Sequence, residues 1–584
     1  MRVLLLHPED VPWQGEWAGH HWDLIVDLGY ASSHTYEEWS RRLGARVFSI
    51  AQFTGQTEGL RWANQIIERG RGRLLDRLGI DWWEILATEH YEDIRMLYLL
   101  DQVRSEIPAG PIDLAATRPH LFTRMLSQSQ GCPVRYFQSS SLGVVRRAAR
   151  MLRSARKLHL AQMAEIVCDK WDPSYGVRRH VTKHKRARLT HPAVLLPSAY
   201  SNVTRSVLAY AAQLPHRHFL LVTTRRSALP DRRPENLTVA PLAAYAPPPD
   251  STAFECAELK RDWQVLLLAL QQEANEFRRA VSVGMWDSFP IHLARGLRLR
   301  EAWKHLLECE PIKGVLCGDD LNYYTRLPLI LARRSDLNAV YCSHGALDGG
   351  FLFKMPSADC FLVKGEMEKD YLQSARAIEP EKILVAAPGR KTFTNGEDRR
   401  GGALVFFSQP FEVEGGRVDE IYRELLPRLC SAARRSGHKL VIKLHPFESQ
   451  QARRALVASI LPADISNQLE IIGGVSPEEV IARTWCGVTV DSSIAVECAL
   501  RGIPFFLCGW LDFGGMGYLR QFASFGVGRV LAEPGSLEHI SEMVADHRAD
   551  PVALARLWHE ADPVQLDEVL FGRRQVRFPD PCVY

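Results

Sequence analysis

Apolar residues in this chain come in short runs, and several of those runs end abruptly on polar groups. Ala403-Leu404-Val405-Phe406-Phe407 leads into Ser408-Gln409-Pro410, and Leu440-Val441-Ile442-Lys443-Leu444 leads into His445-Pro446. Cys486-Gly487-Val488-Thr489-Val490 leads into Asp491-Ser492-Ser493. Runs of this length, rich in β-branched and aromatic residues, read as buried strands. From 403 to about 548 strand and helix patterns alternate with short connections, which predicts a parallel sheet with right-handed crossovers. Open α/β sheets bind ligands just past the carboxyl ends of their strands. The three marked ends therefore predict a Rossmann-like unit with a nucleotide site along one edge.

The same reading extends upstream. Strands are expected at the start of the chain, over 22–29 and 44–50, with a long helical region over roughly 58–106. A β-α-β pattern follows: Ala193-Val194-Leu195-Leu196-Pro197, a polar turn Ser198 to Asn202, a helix from Val203 to Leu214, and a strand from Phe219 to Thr224. Residues 228–250 hold six prolines without clear periodicity and read as a surface loop. Helices are expected over 253–280 and 287–309, and strands over 313–317 and 338–342. The glycine-rich, charged stretch 389–402 reads as a linker. This division gives a Rossmann-like domain with helical and basic insertions over 1–392, a second Rossmann-like domain over 403–548, and a helix with an extended tail over 549–584.

Bulk properties narrow the picture only slightly. A chain of 584 residues exceeds what one core supports, so more than one domain is expected. Hydrophobic content of 46% and charged content of 24% suit a soluble globular protein, and a net charge of +4 gives no argument for nucleic acid as a partner. The twelve cysteines are scattered without zinc spacing, several of them in apolar runs (Cys317, Cys342, Cys486, Cys508), which fits a reducing cytoplasm. The N-terminus reads as a strand rather than a signal peptide, and no window approaches the ~20 apolar residues of a membrane span. One segment is strongly basic: Arg146, Arg147, Arg150, Arg153, Arg156 and Lys157, then Arg178 through Arg188. It is either a solvated helix face and loop, or a patch over 146–188 for anionic lipid headgroups or a polyanionic substrate.

The candidate chemistry sits at strand ends. His445 between Lys443 and Pro446 either donates to a phosphate oxygen or caps a carbonyl. Ser492 and Ser493 at a helix start, with Glu497 one turn in, offer hydroxyls and N–H groups to an anion or simply cap that helix. Asp319-Asp320, after the strand Gly314 to Cys317, are candidates for a general base or for a cap followed by a first-turn acid. Asn322 follows them. The His344-Gly345 turn after the next strand lets backbone approach a ligand closely. A P-loop, an HExxH helix and a GxSxG elbow are all missing, and Asp319-Asp320 lacks the DxD form, so neither a metal nor another cofactor is expected.

Taken together, Gln409-Pro410, His445-Pro446, Ser492-Ser493 and Asp319-Asp320 resemble the motifs of GT-B glycosyltransferases that use CMP-activated acidic sugars. The nearest resemblance is to bacterial Kdo transferases of capsule and lipopolysaccharide assembly, with sialyl- and polysialyltransferases as relatives. The stretch 341–372 also resembles segments of capsule-type and polyol-phosphate transferases. The resemblance implies an α/β fold of two Rossmann-like domains whose parallel sheets face a central cleft. It implies metal-independent transfer of a Kdo-like sugar from a CMP donor to a surface-polysaccharide or glycolipid acceptor. A cytoplasmic location is expected, and the basic segment 146–188 suggests peripheral association with the inner face of the cytoplasmic membrane. Gln409, Pro410, Lys443, His445, Pro446, Ser492, Ser493 and Glu497 would then hold the nucleotide. Asp319 or Asp320 would deprotonate the acceptor, with Asn322, His344 and Gly345 beside the substrate. Leu321 stands where the sialyltransferase triplet has glycine, which leaves Kdo or another sugar open. A CDP-polyol phosphotransferase, a UDP-sugar 2-epimerase and a scaffold without nucleotide remain the alternatives.

Overall fold

In the computed structural model, strands pair into three parallel sheets of five, seven and six members. The structure describes residues 1–53, 56–107, 110–137, 186–225, 228–230, 233–248, 250–345, 347, 356–389, 402–412, 415–474, 477–512 and 517–572. Most of the basic segment 146–188 and of the expected linker lies outside them.

The first sheet comprises β1 (Arg2–Leu6), β2 (Leu24–Asp27), β3 (Arg46–Ser49), β4 (Asp113–Ala116) and β5 (Val134–Tyr136), in the order β3-β2-β1-β4-β5. The second comprises β6 (Ala193–Ser198), β7 (His218–Thr223), β8 (Leu237–Pro241), β9 (Ile312–Cys317), β10 (Asn338–Cys342), β11 (Cys360–Val363) and β12 (Ile383–Val385). Its order is β12-β11-β10-β9-β6-β7-β8. The third comprises β13 (Ala403–Phe407), β14 (Leu440–Lys443), β15 (Glu470–Ile472), β16 (Thr484–Thr489), β17 (Phe505–Cys508) and β18 (Arg529–Leu531), in the order β15-β14-β13-β16-β17-β18. In each sheet the first and fourth strands lie side by side and the strand order reverses between them. That reversal is the topological switch point of a doubly wound fold, where the connections diverge and leave a crevice. The expected α/β, Rossmann-like architecture is present. The stretch 1–392 holds two such sheets, not one.

Two compact units result, each assembled from separate segments. One gathers Met1–Gly59, Leu99–Arg146 and Lys391–Leu557, and so carries the first and third sheets. The other gathers Leu60–Tyr98, Arg147–Arg390 and Trp558–Tyr584 around the second sheet.

In the first unit, β13 and β14 are buried along their whole length, which is why they read as unbroken apolar runs instead of alternating ones. Helix Val418–Arg435 lays Ile421, Tyr422, Leu425, Leu426 and Leu429 against Leu404, Phe406, Leu440 and Ile442. Acidic Asp419 and Glu420 open that helix and Arg434 and Arg435 close it, in accord with its dipole. Gly487 in β16 has no room for a side chain, because a Cβ there would lie 2.2 Å from the Phe505 ring. The first sheet is tied to the third-sheet segment by Arg417, whose side chain is fully buried. Its guanidinium donates to both Asp27 oxygens at 2.6 Å, to the Asp10 carbonyl at 2.8 Å and to the His7 carbonyl at 3.2 Å. Beside it Tyr30 pairs with Gly416 in a parallel bridge.

In the second unit, Asp562 caps helix Pro563–Phe571, whose Leu566 and Leu570 pack into the core with Val194, Leu196, Leu316 and Val340. A Cβ on Gly314 would meet the Leu570 carbonyl at 2.5 Å, so this glycine lets the helix seat directly on β9. The expected long helix over 58–106, of which this unit takes Leu60–Tyr98, is divided into Gln56–Gly70, Trp82–Ala87 and Tyr91–Glu106. Asp81 caps the middle piece through the Trp83 and Glu84 N–H groups. Asp76, in the intervening loop, takes the buried Arg300 at 2.5 Å.

A further sequence expectation fails. Residues 228–250 are not all loop: β8 adds to the sheet beside β7, from Phe219↔Leu237 to Thr223↔Pro241. It is the edge strand, where a proline costs no ladder bond, and it is only partly buried, so it lacks the apolar run that marks inner strands.

Candidate functional site

The third sheet brings together most of the residues expected at a nucleotide. Its switch point lies between the carboxyl ends of β13 and β16, which the chain follows with Ser408-Gln409-Pro410 and Val490-Asp491-Ser492. The Gln409 amide crosses this gap: its Nε2 donates to the Asp491 carboxylate, and its Oε1 accepts from the Asp491 N–H at 3.3 Å. Gln409 and Pro410 are both buried, so the pair forms the floor of the edge. Burial pushes the Asp491 carboxyl above its usual range, and the Gln409 bond opposes that shift.

His445 follows β14, the neighbour of β13. Its Nδ1 accepts from the Phe447 N–H at 3.2 Å, so a neutral ring carries its proton on Nε2, free to donate to an anionic oxygen. Burial, then the charge of Lys443, lowers its pKa. Pro446 is exposed, and Phe447 is 65% exposed with its ring 4.9 Å from that of His445. An exposed phenyl in this position offers a stacking face to a planar base. Lys443 is turned inward: its Nζ donates to the Leu444 carbonyl at 2.9 Å, and burial lowers its pKa.

A carboxylate the sequence reading passed over holds this edge together. Glu448 accepts from the His445 N–H at 2.7 Å, from Ser408 Oγ at 2.8 Å and from Arg453 Nε at 2.8 Å. Its side chain is fully buried, and Arg453 continues to Glu412 at 2.6 Å. The sequence signal available was a glutamate three residues past a histidine-proline turn. Ser492 accepts weakly from the Ile494 N–H at 3.4 Å, while Ser493 is exposed and makes no capping bond. The helix they open, Ile494–Ala499, has only six residues, so few peptide dipoles align behind it. Glu497 lies in its first turn, half-buried.

The acidic candidates lie in the other unit, at the equivalent edge of the second sheet. Asp319 and Asp320 follow β9 beside the end of β6, and both are buried. Both Asp319 oxygens accept local bonds, from the Leu321 N–H at 2.9 Å and from Asn322 Nδ2 at 2.7 Å. Asp320 accepts from Ser357 Oγ at 2.6 Å. Asn322 also caps helix Tyr323–Arg334 through the Thr325 N–H. His344 is exposed and its Nδ1 donates to the Gly318 carbonyl at 2.9 Å, while Lys364 holds the Ser343 and Gly345 carbonyls. Of the two carboxylates, Asp319 organises the turn and Asp320 holds Ser357.

Around them stand residues no motif announced. Tyr200 follows β6, and burial, then Asp319 and Glu89, raise its phenol to about 12. Arg225 lies over the rings of Tyr200, 4.7 Å away, and Tyr324, 5.7 Å away, and Arg295 lies 4.7 Å from Tyr324. Glu89, just past helix Trp82–Ala87, keeps solvent contact, and its Oε1 lies 3.5 Å from the Tyr323 N–H. Crowding by the protein raises its carboxyl to about 7 against the opposing pull of Arg295. No group of His, Cys, Asp or Glu among the described residues is placed to hold a metal ion. No helix among them is long and apolar enough to cross a membrane.

No family model matches this chain, and no curated protein does. Solved structures share a loose likeness. The calicheamicin glycosyltransferase CalG4 is 12% identical, over 66% of this chain and 96% of its own, with a TM-score of 0.37. A putative UDP-N-acetylglucosamine 2-epimerase from Listeria monocytogenes is 11% identical, over 67% of this chain and 99% of its own, with a TM-score of 0.40. The wall teichoic acid polymerase TagF is 10% identical, over 73% of this chain and 96% of its own, with a TM-score of 0.36. Likenesses this distant carry no argument, and the functional reading rests on the sites themselves.

Proposed function

We propose that this protein is a GT-B glycosyltransferase whose third sheet binds the nucleotide of a CMP-activated acidic sugar, with a Kdo-like donor and a surface-polysaccharide or glycolipid acceptor. One observation carries the reading: Gln409 and Asp491 bridge a Rossmann switch point, while on the adjoining strand end His445 Nε2 has no partner among the described residues and the Phe447 ring is 65% exposed. A phosphate donor and a stacking face beside a switch point suit a nucleoside monophosphate. In the reaction, an acceptor hydroxyl oxygen bonds to the anomeric carbon as the bond from that carbon to the phosphate oxygen breaks. The hydroxyl proton passes to a carboxylate, and His445 Nε2–H meets the charge that develops on the departing phosphate.

Thermal stabilisation by CMP, CDP, UMP, UDP and GDP, with and without EDTA, tests the reading, because a ligand bound to the native state raises its melting temperature by mass action. A CMP-selective shift that survives EDTA supports it. A UDP-selective shift moves the assignment to a UDP-sugar transferase or 2-epimerase, and no shift with any nucleotide refutes it.

A further inference from the structure

The carboxyl edge of the second sheet gathers cationic and aromatic side chains that its acidic motif does not account for. The switch point there lies between β6 and β9, with β7 on the other side of β6. Each of these neighbouring strands places a chemically active side chain at the second position past its end: Tyr200 after β6, Arg225 after β7 and Asp319 after β9. β6 and β7 run in register to their ends, Ser198 opposite Thr223, so Tyr200 and Arg225 emerge side by side. Helix Phe289–Cys309 brings Arg295 to the same edge, against the ring of Tyr324.

Two guanidiniums thus share one aromatic ring, Arg295 at 4.7 Å and Arg225 at 5.7 Å from Tyr324, while Arg225 also covers Tyr200 at 4.7 Å. Stacking uses the flat face of a guanidinium and turns its N–H donors outward along the edge, the arrangement in which arginine grips a carboxylate or phosphate. These groups are open to a ligand: Tyr200, Arg225 and Arg295 are half-buried, and Glu89 is exposed. The Tyr200 hydroxyl has no hydrogen-bond partner among the described residues, and with its pKa raised to about 12 it keeps a proton to donate. The charge balance favours an anion. Asp319 is committed to its own turn through the Leu321 N–H and Asn322 Nδ2, and Glu89, raised to about 7, is largely protonated below neutral pH. Burial lowers the Arg225 pKa and the charge of Arg295 acts in the same direction, a repulsion that an anion between the two guanidiniums relieves.

We propose that the carboxyl edge of the second sheet is an oxyanion site, in which Arg225, Arg295 and the Tyr200 hydroxyl donate to a carboxylate or phosphate carried by a sugar. That a sugar carries the anion rests on the glycosyltransferase reading; the oxyanion chemistry rests on the edge itself. Glu89, once ionised, repels the ligand.

Isothermal titration of the full chain at pH 6.5 with glucuronate, glucose 6-phosphate and glucose tests it, since the three share a ring and differ in charge at one end. The wild type should bind at least one of the anionic sugars roughly tenfold or more tighter than glucose, and which one it binds tells carboxylate from phosphate. Arg225→Gln and Arg295→Gln should each weaken that sugar roughly tenfold or more, as expected for lost bonds between charged groups, while stabilisation by CMP stays as in the wild type. Should Arg295→Gln melt early, Arg225→Gln decides alone. Glu89→Gln should tighten binding at pH 8, where the native carboxyl is ionised, a gain that a purely structural role for these side chains does not produce. Glucose bound as tightly as both anionic sugars overturns the proposal, and so does binding of neither anion or binding undiminished in a folded Arg225→Gln protein. The CMP response is read on the same proteins, so a failed oxyanion site and a failed nucleotide assignment give different results.

Discussion

Replacing Arg417 by methionine should strongly destabilise the first unit. The guanidinium makes two bonds at 2.6 Å to Asp27 and two more to the Asp10 and His7 carbonyls, and neither charged side chain touches solvent. Removing one member of a buried pair leaves an uncompensated charge and typically costs about 3–5 kcal/mol. Two donors would remain on Asp27, the Tyr36 hydroxyl at 2.7 Å and the Gly29 N–H at 3.1 Å, which argues for the lower end of that range. The methionine chain still covers the Trp39 ring that the guanidinium now overlies at 4.6 Å. For a unit of this size, about 3 kcal/mol corresponds to a melting temperature roughly 6–12 °C lower. The readout is the first transition in differential scanning calorimetry, because a chain of two units need not unfold in one step. Asp27→Asn combined with Arg417→Met should recover part of the loss, since no charge is then stranded. An Arg417→Met protein melting within about 2 °C of the wild type would refute the argument that this pair secures the first sheet.

Further expectations concern the two edges. His445→Ala should abolish stabilisation by CMP while leaving the unliganded melting temperature nearly unchanged, and Phe447→Ala should weaken CMP binding several-fold by removing a stacking face, both readable by the same thermal assay. The folded state depresses the His445 pKa, so its contribution to stability is present above the ordinary value near 6.5 and is lost as pH falls through the folded value. A bound phosphate reverses that depression, so calorimetry in buffers of different ionisation enthalpy should show proton uptake on CMP binding near pH 6 and none at pH 8.5. Glu448→Ala should cost roughly 3 kcal/mol and loosen nucleotide binding, because Arg453, Ser408 and the His445 N–H lose a common acceptor. Glu89 has a folded pKa of about 7, above its unfolded value, so its stabilising contribution is present at low pH and lost as pH rises through about 7. Glu89→Gln should accordingly raise the melting temperature at pH 8 but not at pH 4.

The α/β class and the polar strand ends of the third sheet were legible in the chain because they are local. A strand covered on both faces must be apolar throughout, so β13, β14 and β16 stand out in a window of a few residues. The polar residues that mark the third sheet's edge follow them directly. A partly buried edge strand leaves no such trace, and the segment of β8 reads from its sequence as loop. The three-sheet arrangement was not legible either, since β1 pairs with β4 across more than a hundred residues and nothing short-range records it. The same limit hid the interactions that give the candidate sites their chemistry. Asp27 meets Arg417 390 residues away, and Glu89 reaches the Tyr323 N–H across 234. Period and composition thus decided which segments are strands and where their polar ends fall. Only the packed chain decided which of those ends share a sheet, because burying a charge or orphaning a polar atom depends on what the fold brings beside it.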